Sequence, residues 1–239
     1  MNIALIGYGK MGRIIEETAI ARGHRIVAKS SSEHPIETVD FSKVDIAIEF
    51  TAPHIAVKHI EHCVDNNIPV VVGTTAWNEQ LPHVKEYVTK HEGSILYASN
   101  FSIGVNIFFD INRRLSKLME PHKEYDVRVD EIHHLQKLDA PSGTAISLAD
   151  DILIENDNLS SWIHKENEVP HTKHGQIPII SHREDGVPGT HIIEYNSVID
   201  NIQLKHTAYN RKGFALGSVI AAEWLVGKKG IFTMRDVIK

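Results

Sequence analysis

The sequence predicts an α/β protein: a doubly wound parallel sheet at the N-terminus, then a second α+β domain built on a mostly antiparallel sheet. Three observations carry that expectation. Over the first hundred residues, short apolar runs alternate with amphipathic helical stretches, the pattern of right-handed β-α-β crossovers. A glycine-rich turn joins the first strand to the first helix. From about Asn106 the period changes, and β-rich runs separated by turn signals follow.

The buried strands of the first domain read as Ile3–Ile6, Arg25–Ala28, Val44–Phe50, Pro69–Val72 and Ile95–Ala98. Helices read as Met11–Arg22, ended by Gly23; Pro53–Asn66, with proline at its first position; and about Asn78–His91. In the second domain a helix is expected at Ile107–Leu118. The run "EYDVRVDEIHH" then alternates like a half-covered strand, and a helix follows at about Ser142–Glu155. Three further strands fall at Gln176–Arg183, Thr190–Asn196 and Ile199–Thr207. The closing "GFALGSVIAAEWLVG" is an apolar helix that must pack on something, and its place is back on the first domain. The expected boundaries are 1–103 with 212–239 for a dinucleotide-binding domain, and 104–211 for a substrate-binding and oligomerisation domain.

Composition narrows the function. With 239 residues, 42% hydrophobic and 23% charged, the chain has room for one large or two small globular domains. A net charge of -6 gives no general affinity for nucleic acid or anionic membrane, so any anion must be gripped by a local cluster. The single cysteine, Cys63, forms no internal disulfide and fits a reducing cytoplasm. No apolar run approaches the roughly 20 residues of a membrane helix, and with a strand-like run starting at Asn2 no signal peptide is expected. The acidity and the lack of a Lys/Arg-rich helix argue against a DNA-reading regulator. Cys63, in a helix of the first domain, reads as structural rather than as the nucleophile of an aldehyde dehydrogenase.

"IGYGKMGR" places Gly7, Gly9 and Gly12 as G-x-G-x-x-G between strand and helix, a Rossmann-type nucleotide turn that also carries Tyr8, Lys10 and Met11. Gly7 allows the tight turn, Gly9 lets backbone approach a pyrophosphate, and Gly12 lets helix and strand pack closely. The second strand ends in "AKSSS", so Lys29 and three serines stand where an NAD-specific site has an acid. That favours NADPH, or use of both NADPH and NADH. Two other strand ends, Gly73–Thr74–Thr75 and Ala98–Ser99–Asn100–Phe101, offer small and hydroxyl side chains for the nicotinamide end.

The densest chemistry lies in "EIHHLQKLDAPSGTA", Glu131 to Ala145. His133 and His134 end an extended run and point to opposite faces, so they do not chelate one metal together; with no carboxylate or cysteine pattern beside them, no metal is expected. Lys137 supplies a cation with three donors. Ser142 reads as a helix N-cap, leaving the Gly143 and Thr144 N–H groups to hold a carboxylate. Cations and a helix start converge on a pocket for a small dianion.

That stretch resembles the signature E-x-H-H-x-x-K-x-D-A-P-S-G-T-A of the dihydrodipicolinate reductase family at every fixed position. The likeness extends over the chain, through "GYGKMGR", "EFTAP", "VGTT", "ASNFSIGVN" and the closing "FALGSVIAAEWLVGKKGIFTMRDV". The resemblance implies NAD(P)H-dependent reduction of 4-hydroxy-tetrahydrodipicolinate to tetrahydrodipicolinate, with loss of water, in lysine and diaminopimelate biosynthesis. It implies NAD(P)H contacts at Gly7–Gly12, Gly73–Thr75 and Ala98–Phe101, and a cyclic dicarboxylate held by His134, Gly143 and Thr144. His133 becomes the proton donor/acceptor and Lys137 the proton donor. A Rossmann domain plus a β-rich domain that assembles a homotetramer is the implied architecture. Arg211 and Lys212, at the return to the first domain, read equally as hinge or substrate contacts.

Overall fold

The computed structural model describes residues 1–239 and divides into two compact units, Met1–Ile103 with Lys212–Lys239, and Gly104–Arg211. In the first unit β1 (Asn2–Ile6), α1 (Lys10–Ala21), β2 (Arg25–Ser30), β3 (Ile46–Glu49), α2 (Pro53–Asp65), β4 (Val70–Val72), α3 (Leu81–Lys90) and β5 (Ser94–Tyr97) alternate along the chain. The sheet order is β11-β5-β4-β3-β1-β2, every pairing parallel, with β11 (Gly230–Phe232) contributed by the C-terminal segment. Chain direction across the sheet reverses between β1 and β3, which opens a ligand crevice at their carboxyl ends. The central strands are apolar and buried on both faces, so they read as continuous hydrophobic runs rather than alternating ones.

In the second unit α4 (Ile103–Met119), β6 (Asp126–His133), α5 (Gly143–Glu155), β7 (Ser161–Glu166), β8 (Gln176–Arg183), β9 (Gly189–Asn196) and β10 (Asn201–Ala208) follow in order. Phe108 on α4 and Leu148 and Ile152 on α5 join Val127, Val129, Ile179 and Ile193 of the sheet in one apolar core. The sheet order is β10-β9-β6-β8-β7; β10–β9 and β9–β6 are antiparallel, while β6–β8 and β8–β7 are parallel. It is therefore a mixed sheet, not a mostly antiparallel one. The difference traces to β8, which joins β6 in the parallel sense, and to β7, a short polar strand that hydrophobic periodicity does not signal.

After β10 the chain returns to the first unit as α6 (Lys212–Leu225), then β11 and α7 (Met234–Val237). The apolar face of α6 buries Ala215, Val219, Ala222 and Leu225 against Ile48, Val71 and Leu96 of the parallel sheet. Gly217 touches backbone directly: a Cβ there would stand 1.6 Å from the Phe101 carbonyl oxygen. The helix expected at 78–91 begins only at Leu81 after a short 3-10 turn, because Pro82 fits a first turn but not a helix interior. The helix expected from Ile107 begins at Ile103, four residues earlier. No helix is long and apolar enough to cross a membrane.

Candidate active site

At the carboxyl ends of β1, β2 and β3 lies a cleft of about 530 Å³, bordered by Gly7–Gly9, Ser30–Ser32 and Phe50–Ala52 among others. The glycine turn is built as its spacing predicts. Gly7 has φ +99, and a Cβ there would meet the Phe50 carbonyl oxygen at 2.1 Å. A Cβ on Gly12 would come within 2.4 Å of the Gly7 oxygen, so helix and turn touch backbone to backbone. Beside Gly9 nothing lies within 4 Å, which leaves room for a group to approach the main chain. Gly9 caps α1 with no side-chain hydrogen bond and no acid in the first turn, so a positive helix end with unclaimed donors faces the cleft. An empty approach at Gly9, a bare helix start and a hydroxyl-lined rim fit a dinucleotide's phosphates.

Lys29 stands apart from that rim. Its Nζ lies 2.7 Å from a Glu16 carboxylate oxygen and 4.1 Å from the centre of the Tyr8 ring, and the Tyr8 hydroxyl donates to the same carboxylate. Lys29, then Tyr8, hold the Glu16 carboxyl below its ordinary pKa, and Glu16 raises that of Lys29. Thr74 and Thr51 are organised by Glu49, a fully buried carboxylate at the end of β3. Thr74 Oγ1 donates to Glu49 Oε1 at 2.9 Å, Thr51 Oγ1 donates to the same oxygen, and the Thr51 N–H donates to Thr74 Oγ1 at 2.7 Å. Gly73 packs on the Phe50 ring, where a Cβ would be 2.1 Å from its edge. Lys10, Met11 and Gly12 lie in the first turn of α1, and Thr75, Ala98, Ser99, Asn100 and Phe101 follow the ends of β4 and β5. Phe101 is buried and stacks obliquely on Phe50. Cys63 is fully buried, which raises its thiol pKa and leaves no nucleophile there.

In the second unit β6 ends at His133, and the chain turns through Leu135–Ala140 and the cis Ala140–Pro141 peptide into α5. The turn is closed by the Lys137 N–H donating to the His134 carbonyl at 3.1 Å. Lys137 Nζ reaches Asp139 Oδ2 at 2.6 Å, and that contact depresses the Asp139 pKa. Ser142 caps α5, its Oγ accepting from the Ala145 N–H at 3.2 Å. Gly143 is exposed, with nothing within 4 Å of where a Cβ would sit, and Thr144 beside it is half-buried. His133 thus ends β6, Lys137 lies in the turn that follows, and Gly143 and Thr144 open α5. His134 leaves the strand on the other face: His133 is buried and His134 half-buried.

Residues to which sequence reasoning assigned no role complete this centre: Glu131, Ser181, Arg183, Gly189 and His191. Glu131, two residues before His133 on the same strand face, is fully buried, and His191 on β9 pairs with it directly across the ladder. Glu131 Oε1 accepts from the Ser142 N–H at 3.0 Å and from the Ser181 hydroxyl at 2.5 Å. Its Oε2 lies 3.2 Å from His133 Nδ1, an ion-pair approach not aligned as a hydrogen bond, and 3.8 Å from His191 Nε2. The expectation of no carboxylate beside the histidines is corrected here, since possible ligand atoms of Glu131, His133 and His191 lie within 4.8 Å of one another. The Arg183 guanidinium, 3.8 Å from Glu131 Oε1, adds a fixed cation to that cluster. Burial raises the Glu131 pKa, but His133, Ser142 and Ser181 outweigh it and hold the carboxyl well below its usual range. His191 is pushed down to about 3, first by burial and then by the charge of His133. Gly189 faces His133 Nε2, which would stand 3.1 Å from a Cβ at that position.

Family models for the N-terminus and the C-terminus of dihydrodipicolinate reductase match residues 1–101 and 104–238. The chain belongs to the dihydrodipicolinate reductase family. It is 47% identical over 238 residues, covering 100% of this chain and 98% of the other, to the 4-hydroxy-tetrahydrodipicolinate reductase of Christiangramia forsetii. That of Thermosipho africanus is 32% identical over 241 residues, again covering 100% of this chain and 98% of its own. Among solved structures, the dipicolinate-bound dihydrodipicolinate reductase of a Paenisporosarcina species superposes with a TM-score of 0.76 at 26% identity, covering 98% of this chain and 97% of that one. The activity is that of 4-hydroxy-tetrahydrodipicolinate reductase, an oxidoreductase of lysine biosynthesis. The family uses NAD(P)H.

Proposed function

We propose that the strand-end and helix-start cluster of the second unit is where this reductase grips its cyclic dicarboxylate and delivers a proton to it. The supporting observation is that His133 ends β6, Lys137 lies in the turn after it and Gly143 opens α5, with Glu131 joining the strand end to the helix start through the Ser142 N–H and its approach to His133. A carboxylate fits the Gly143 and Thr144 N–H groups, with His134 a further contact, because a helix start offers unpaired donors and a positive dipole end. The solved relative that shares this fold has dipicolinate, a planar dicarboxylate, bound to it.

Held at Gly7–Gly12, Gly73–Thr75 and Ala98–Phe101, a reduced nicotinamide would supply hydride to C4 of the ring left when the 4-hydroxyl departs as water. The ring then carries excess electron density as an enamine, and a proton must arrive at the neighbouring carbon. Lysine ordinarily carries its proton at neutral pH, so Lys137 serves as donor and as electrostatic clamp. An imidazole can both accept and donate a proton, so His133 relays and restores that proton. A well-placed acid contributes about 10²–10⁴-fold to such a step.

NADPH, with NADH as a second cofactor, is the reading that Lys29 and Ser30–Ser32 support: hydroxyls border the cleft and a cation stands nearby, where NAD-specific sites carry an acid. Lys29 would exchange Glu16 for a 2′-phosphate. The first unit, 1–103 with 212–239, takes the dinucleotide; the second, 104–211, takes substrate and assembles a homotetramer, for which exposed Val198, Ile199 and Ile202 provide apolar surface. The one cysteine, buried and unpaired, suits a cytoplasmic setting. Loss of NADPH absorbance, with the condensation product of pyruvate and aspartate semialdehyde as substrate, tests the site: His133→Ala and Lys137→Ala lose turnover and keep NADPH affinity. Wild-type turnover in both variants would remove the assignment.

A further inference from the structure

Glu131 has no part in the proton transfer outlined above, yet it is the most connected side chain of the cluster. One of its oxygens serves the turn that starts α5, through the Ser142 N–H, while the other faces the imidazole of His133. We propose that Glu131 is a positioning residue that braces the proton relay and the substrate turn against each other, with His191 fixing the serine that caps the turn. This rests on the proposed roles of His133 and the α5 start.

The hydrogen bonds determine where the protons lie. Ser142 Oγ already accepts from the Ala145 N–H, and its single proton is free to go to His191 Nε2, 3.1 Å away. His191 then carries its own proton on Nδ1 and remains neutral, in keeping with a buried ring whose pKa is held near about 3. With His191 supplying no proton toward the carboxylate, Glu131 Oε2 is left to His133 Nδ1, its nearest ring nitrogen at 3.2 Å. His133 Nε2 is thereby the nitrogen that exchanges protons with a ligand, and it lies beside Gly189, where any side chain would crowd it. A carboxylate on the far nitrogen of an acid–base histidine fixes its tautomer and supports the imidazolium that forms. The same carboxylate, by holding the Ser142 N–H, sets the angle at which Gly143 and Thr144 face the ligand.

Glu131→Gln keeps the shape and removes the charge. It is expected to lower kcat by about 10²-fold and to raise KM for the dicarboxylate several-fold, with NADPH affinity within about twofold of wild type. In a His133→Ala background the same change is expected to cost no further kcat while the KM rise persists, because turnover is affected only through His133. If Glu131→Gln fails to fold, nitrogen-15 spectra of the wild-type histidine rings give the answer. They should show His191, assigned by loss of its signal in His191→Gln, with a bare Nε2, and His133 with a proton on Nδ1. Unchanged kcat in Glu131→Gln, kcat losses that multiply in the double variant, or a His133 ring protonated on Nε2 alone would each overturn the proposal. Failure of the reading beneath it would look different: His133→Ala would then turn over like wild type.

Discussion

Gly9 and Gly12 sit three residues apart in one turn, yet an added methyl should act in opposite ways at the two. At Gly12 a Cβ would lie 2.4 Å from the Gly7 carbonyl oxygen, about 0.6 Å inside the closest approach that a Cβ makes in proteins. The oxygen cannot yield, because Gly7 is pinned by its own contact with Phe50 and by its N–H donating to the Ser30 carbonyl at 3.1 Å. Helix α1 must therefore lift off β1, an overpacking cost of about 1–3 kcal/mol, which for a chain of this size lowers Tm by roughly 3–10 °C. At Gly9 a Cβ meets nothing within 4 Å, so Gly9→Ala should melt within about 2 °C of wild type. The methyl would instead occupy the space where a pyrophosphate approaches, weakening NADPH binding by about 10-fold or more, or roughly 1.4 kcal/mol. Differential scanning calorimetry and fluorescence titration with NADPH separate the two effects. Gly9→Ala melting as low as Gly12→Ala, or binding NADPH like wild type, would refute the geometry assigned to this turn.

Three other outcomes follow from the same structure. His133→Ala and Lys137→Ala should each reduce kcat by about 10²–10⁴-fold, measured by steady-state NADPH oxidation, with the dissociation constant for NADPH unchanged. Lys29→Ala should lower kcat/KM for NADPH more than for NADH, and Glu16→Gln, which frees Lys29, should shift the ratio toward NADPH; an NADH-preferring wild type would reject this role. His191 has a folded pKa depressed to about 3 from an ordinary 6.5, so the unfolded chain binds its proton first as pH falls. Stability is therefore intact above about pH 6.5 and falls by about 2 kcal/mol on reaching pH 5, and urea titrations of His191→Gln should lack that decline.

Much of this was legible because the responsible signals are local. The G-x-G-x-x-G spacing, the apolar runs of β1, β3 and β4, and Ser142 as a cap all depend on neighbours within a few residues. The parallel half of the second sheet was not legible: β7, "SWIHKE", is too polar to signal a strand, and the direction in which β8 joins β6 is set by long-range pairing rather than by either run. Glu131 was within reach: two residues from His133 on a strand means the same face. His191 was not, because 58 residues separate it from His133 and only the β6–β9 register brings them together. Lys29 carried a charge signal that the sequence shows, whereas its partner Glu16 depends on how α1 packs against β2.

The central claim is that a dicarboxylate is held by the start of α5 with Lys137 and His133 beside it. A crystal structure with NADPH and pyridine-2,6-dicarboxylate measures that directly. A carboxylate within hydrogen-bonding distance of the Gly143 and Thr144 N–H groups is the expected result. A ligand bound elsewhere, with both N–H groups facing only solvent, would contradict it.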